Sequence, residues 1–132
     1  MIAHFILYVR DQKTSTEFYT KVLQMAPTLD VPGMTEFQIN EHCILGLMPE
    51  AGIKNLLGEK LPDPTAGSGV PRAEIYLLLQ GASEYYERAL AFGAVDLSAV
   101  AARDWGDTVG YSMDADGHVL AFAQRTSPFY GK

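Results

Sequence analysis

Only one cysteine, Cys43, occurs in the chain, so no disulfide can form within it. That excludes a disulfide-stapled extracellular scaffold and fits a reducing compartment, so a cytoplasmic protein is expected. No apolar run approaches the roughly 20 residues that a membrane-spanning helix needs, and no membrane partner is expected. The start, Met1-Ile2-Ala3-His4-Phe5, carries neither a basic region nor a small-residue cleavage site, so a secretory leader is not expected. Positive charge is scarce: ten Lys and Arg stand against sixteen Asp and Glu, giving −6 at pH 7 and a pI near 4.9. This balance argues against nucleic acid, whose phosphates need basic partners. Small molecules, cations and protein partners stay open. Charged residues make up 20% and apolar residues 48% of the 132, which excludes disorder and collagen-like repetition. The length suits one domain, or two small units sharing a core.

What the chain does contain is a duplication. Glu17-Phe18-Tyr19-Thr20-Lys21-Val22-Leu23 lines up with Glu84-Tyr85-Tyr86-Glu87-Arg88-Ala89-Leu90, and five of the seven pairs are identical or chemically close. An apolar run precedes each block, Phe5-Ile6-Leu7-Tyr8-Val9 and Ile75-Tyr76-Leu77-Leu78-Leu79. Another follows each, Cys43-Ile44-Leu45-Gly46-Leu47-Met48 and His118-Val119-Leu120-Ala121-Phe122-Ala123. Two copies are too few for a solenoid, which needs at least three, and instead suggest paired modules.

The periods assign the elements. The first run of each half is short, β-branched and aromatic, and reads as a strand. A helix over about 14–25 follows, with Thr14 and Glu17 spaced as a capping box and Phe18, Val22 and Met25 on one apolar stripe. A second helix spans about 82–92, with Gly93 where a left-handed terminal residue is wanted. Asp114-Ala115-Asp116-Gly117 reads as a hairpin turn, and Asn40-Glu41-His42 as its counterpart. Residues 49–72 are rich in Gly and Pro and read as turn and loop, with one helical turn over 53–57. Such a long connection serves as a linker, a lid or both.

Alternation divides each first strand into two faces. Phe5, Leu7 and Val9 point one way, with Ile75, Leu77 and Leu79 in the second half; these aliphatic sets suit the helix side. His4, Ile6 and Tyr8, with Glu74, Tyr76 and Leu78, suit a cleft face. On the last strands Leu45, Leu47, Leu120 and Phe122 fit the core, while Gly46, Met48, Ala121 and Ala123 fit the cleft side. Small residues there either leave room for a ligand or let sheets approach closely.

His4 on the first strand, the helix beginning Glu17-Phe18-Tyr19, the pair Trp105-Gly106, and Asp114-Ala115-Asp116-Gly117-His118 before the final strand together resemble the vicinal oxygen chelate superfamily. That group includes glyoxalase I, extradiol dioxygenases, fosfomycin-resistance enzymes and bleomycin-resistance proteins. The likeness covers nearly the whole chain. It implies an α+β fold of two tandem β-α-β-β-β modules forming an incomplete barrel around a cleft, helices outside. Module 1 would cover about 1–49, a linker 50–71 and module 2 about 72–126. A homodimer is implied too.

The resemblance also implies four slots for a divalent metal, one on the first and one on the last strand of each module. His4 and Glu74 fall on the first-strand slots. The last-strand carboxylates are missing: Gly46 and Ala121 stand there. One His and one carboxylate fall short of the three protein ligands a catalytic site keeps, so no metal or other cofactor is expected. His4 and Glu74 have three readings: they bond each other, contact a ligand, or hold a metal. Glu74 could also serve as a general base. His42 and His118 belong to turns. Cys43 reads as a small packing residue. Trp105, like Tyr8, Tyr76 and Tyr111, either stacks on a planar ligand or caps the core. Phe129 and Tyr130 in the tail would cover a cleft or neighbouring subunit, or fray.

The ligand-contacting set is therefore His4, Tyr8, Gly46, Met48, Glu74, Tyr76, Trp105, Tyr111 and Ala121. The expected function is metal-free binding of a small cationic or aromatic molecule between the modules. The alternative is a metal-dependent lyase, isomerase or dioxygenase using His4 and Glu74.

Overall fold

The computed structural model describes residues 1–126, and the tail aromatics Phe129 and Tyr130 lie outside the described residues. The chain divides into two units, Met1–Ser68 and Gly69–Lys132.

The first unit runs β1 (Ala3–Val9), α1 (Gln12–Leu23), β2 (Leu29–Val31), β3 (Met34–Asn40), β4 (Cys43–Pro49) and α2 (Glu50–Leu57), then two 3-10 turns, Gly58–Lys60 and Pro64–Gly67. Its sheet has the order β1-β4-β3-β2, with β1 parallel to β4 and the other pairs antiparallel. The second unit runs β5 (Glu74–Leu78), α3 (Ala82–Ala91), β6 (Val95–Ala102), β7 (Asp107–Met113) and β8 (Val119–Arg125). Its sheet order is β5-β8-β7-β6, again with only the first pair parallel. The units therefore repeat one β-α-β-β-β topology, as the duplicated sequence implies. Strands β1 and β5 lie at sheet edges, not at centres.

The duplicated helices explain the repeat physically. Tyr19 and Tyr86 are buried at matching positions, and so are Val22 and Ala89. Each fully buried large side chain contributes roughly 1.5–3 kcal/mol. Helix α1 opens earlier than the Thr14-Glu17 spacing suggests. Asp11 is its N-cap, its carboxylate accepting the Thr14 N–H at 3.2 Å. Helix α3 starts after Gly81 at φ 79°, and Gly81 has no side chain to cap with. Gln124 of β8 supplies the acceptor instead, its Oε1 taking the N–H groups of Gly81 at 3.1 Å and Ala82 at 3.3 Å. Gly93 ends the element at φ 106°, as expected.

Helix α3 lies very close to β7. A Cβ on Gly110 would stand 2.7 Å from Val100 Cγ2 and 2.9 Å from Tyr86 Cδ1, so only glycine fits. Between the modules α2 is a two-turn helix, longer than the single turn expected, so residues 50–71 are not simply a loop. No helix among the described residues is long and apolar enough to cross a membrane.

Candidate functional site

Register places the proposed residues. In the first unit His4 pairs with Ile44, Ile6 with Gly46, and Tyr8 with Met48, while Glu36 of β3 lies opposite Gly46. His4, Tyr8, Gly46 and Met48 thus share the sheet face turned away from Leu7, Val9 and α1, as alternation implies. Phe5 departs from its companions: it is 63% exposed. The carboxylate beside His4 is Glu36, with His4 Nδ1 3.6 Å from Glu36 Oε2. Sequence reasoning missed Glu36, although the alternation of Glu36 and Gln38 with Phe37 could have marked it. Gly46 leaves no room: a Cβ there would meet Ile6 Cγ1 at 3.0 Å and the Met34 sulfur at 3.5 Å.

The second unit gathers more. On β5, Glu74, Tyr76 and Leu78 point away from α3, as do Asp107, Val109 and Tyr111 of β7 and Ala121 and Ala123 of β8. Val109, Ala121 and Ala123 form a fully buried floor with Tyr111 against it. Ala121 therefore supports the aromatic face from beneath, with no surface of its own. Small residues on both last strands have let neighbours approach closely and have not opened space.

Above that floor the aromatic side chains are held by hydrogen bonds. Trp105 Nε1 donates to the Tyr76 hydroxyl at 2.9 Å, and that hydroxyl donates to Asp107 Oδ2. Trp105 is 45% and Tyr76 37% exposed, whereas Asp107 is only 2% exposed. Burial, then the bond to Asp107, pushes the Tyr76 phenol up to about 12, so it stays neutral. Tyr111 is also raised, by burial first and then by the Glu74 carboxylate. The Arg103 guanidinium, 5.2 Å from the Tyr111 ring centre, acts the other way. Asp107 was missed from sequence. Its one signal is that it follows Trp105-Gly106 directly.

Other candidate features are structural. Asp114 Oδ1 accepts the N–H groups of Asp116 at 2.9 Å and His118 at 2.8 Å, while Oδ2 lies 2.9 Å from His118 Nδ1. That ties the β7–β8 turn together. An open groove beside Asp11 and Asp30 is crossed by Gln12. The Gln12 amide is used up on the Val31 carbonyl, the Thr35 hydroxyl and the Gly33 N–H. His42 is an exposed turn residue, and Cys43 is half-buried at the start of β4.

The profile of the Glyoxalase/Bleomycin resistance protein/Dioxygenase superfamily matches residues 1–129. The chain belongs to this superfamily. A glyoxalase-related enzyme from Fulvimarina pelagi superposes with a TM-score of 0.79 at 22% identity, over 95% of this chain and 88% of that one. A glyoxalase/bleomycin resistance protein/dioxygenase from Nocardioides gives 0.76 at 22% identity, over 96% and 84%. At these identities the likeness speaks to fold. An uncharacterised protein from Mycobacterium bovis is 27% identical over 121 residues, covering 89% of this chain and 79% of that protein.

The four metal positions that the family resemblance implies are His4, Gly46, Glu74 and Ala121. These residues do not fit a divalent ion. Two positions lack a donor atom, and apolar neighbours crowd both. Among the described residues no three of His, Cys, Asp or Glu gather closely enough to hold one.

Proposed function

We propose that this superfamily member binds a small planar molecule on the aromatic face of its second unit, without a resident metal. The observation that carries this reading is the pair of exposed aromatic rings, Trp105 and Tyr76, fastened by hydrogen bonds over an apolar floor. Fastened rings lose little conformational freedom when a ligand stacks on them, so more of the stacking free energy becomes affinity. Tyr111 extends the same face. The absent last-strand donors support the metal-free part.

A metal-dependent lyase, isomerase or dioxygenase is the competing reading, and the His4–Glu36 pair at 3.6 Å is what favours it. Elemental mass spectrometry separates the two, on protein as purified and after incubation with nickel, zinc, manganese or iron and desalting. The expected result is substoichiometric metal, unchanged in His4→Ala and Glu74→Ala. Stoichiometric metal that disappears in either variant would favour the enzyme.

Ile2, Phe5 and Ile6 are exposed at edge strand β1. They support the accompanying proposal of a homodimer, which native mass spectrometry checks.

A further inference from the structure

The chain Trp105–Tyr76–Asp107 has a direction. The indole N–H donates to the Tyr76 oxygen, and the Tyr76 O–H donates to Asp107. A phenol oxygen has one proton to give and two acceptor positions. Here the proton is committed and one acceptor position is filled. Tyr76 therefore presents one remaining acceptor position. Asp107 shares that face by register, and its Oδ1 is buried with no hydrogen-bond partner, the residue being 2% exposed. A carboxylate left so poorly matched at such depth is unfavourable, and a cation brought over the face by a ligand would offset its charge.

The geometry points to a polarity filter: the aromatic face of the second unit takes planar ligands carrying an amidinium or ammonium donor, delivered to the Tyr76 oxygen with the Asp107 charge behind it, and turns away carboxylates of the same shape. This rests on the proposed binding role of that face. Two further features agree. Glu74 is close enough to raise Tyr111. Two cations border this face: Arg103 has its Nη2 spent on the Ser98 hydroxyl and the Ala99 and Val109 carbonyls, and the exposed Arg125 stands opposite Asp107 on β8. Arg103 Nε is buried without a partner, which makes a carboxylate the discriminating competitor.

Benzamidine and benzoate supply matched planar shapes of opposite polarity. The chain has one tryptophan, so its proton–nitrogen correlation spectrum holds one indole N–H signal, that of Trp105. Benzamidine is expected to move that signal to saturation, with benzoate binding about tenfold more weakly, the scale of one hydrogen bond to a charged group. In Tyr76→Phe the free protein's indole signal shifts towards its solvent-exposed position, and the preference between probes disappears. Asp107→Asn, of nearly equal size, is expected to lose the preference as well. Should that buried variant fail to fold, Tyr76→Phe at its more exposed position decides alone. Benzoate binding as tightly as benzamidine, or a preference that survives Tyr76→Phe, overturns the filter and leaves the face a binding site. If neither probe moves any signal of this face, the filter and the binding role fall together.

Discussion

Asp114 and His118 show what one side chain contributes to the β7–β8 hairpin. Asp114 is 4% and His118 3% exposed, and the carboxylate serves two backbone N–H groups and the imidazole. The string Asp-Ala-Asp-Gly-His, which helped mark the family resemblance, is thus a hairpin lock. Asp114→Ala leaves three donors without that acceptor. Denaturant unfolding is expected to show a loss of about 2–4 kcal/mol. A change within about 0.5 kcal/mol would mean that the lock is decorative. The tyrosines give a second residue-scale prediction. Tyr76 is pushed up to about 12 by burial and its bond to Asp107; Tyr86 reaches about 12 through its bond to Asp96 and then burial. Raised values mean the folded protein holds these protons more tightly than the unfolded chain does. The resulting stability is complete below the unfolded value near ~10. It is lost as pH rises through about 12. Stability measured across this window is expected to fall more steeply for the native protein than for Tyr86→Phe. An ultraviolet titration in which all seven tyrosines ionise together would contradict the assignment.

Helices and strands were legible wherever a period ran long enough. Both duplicated helices, both hairpins and the two faces of β1 and β5 follow from spacing alone. Helix α1 begins at Asp11 because a carboxylate there reaches the Thr14 N–H. The Thr14-Glu17 pattern is the same signal displaced by three residues. Helix α2 was undervalued because Gly52, Gly58 and the nearby prolines read as loop, whereas buried Ile53 fixes it from the tertiary side. Alternation reports which face a residue is on and says nothing of depth. That is why alternation left both readings of Gly46 and Ala121 open, and close packing is the one found. Asp107 was hidden because its partner, Tyr76, comes from β5, distant in sequence. At this scale Gly110 of β7 is packed tightly against Val100 of β6 and Tyr86 of α3. Gly110→Ala is expected to cost about 1–3 kcal/mol by overpacking, more than Gly46→Ala. The neighbours of Gly46 are side-chain atoms of Ile6 and Met34 at 3.0 and 3.5 Å. Comparing the two unfolding midpoints checks this, and equal losses would contradict it.

For the whole molecule, the duplicated sequence maps onto two units of identical topology, and the superfamily profile covers nearly the full chain. Family and fold are therefore read with the same residues. Function is not, because one scaffold hosts many chemistries. Here the departures from the family pattern, Gly46 and Ala121, carry as much weight as the agreements. Together with the Trp105–Tyr76–Asp107 arrangement they support the proposed reading, in which a ligand is held by stacking and hydrogen bonding. The most direct measurement follows Trp105 emission while planar aromatic probes, benzamidine and benzoate among them, are added to protein stripped of metal by a chelator. A saturable change, unaltered when zinc, nickel, manganese or iron is restored and stripped of its benzamidine preference in Tyr76→Phe, is the result expected. A response that arises only once metal is restored, and vanishes in His4→Ala, would contradict the account.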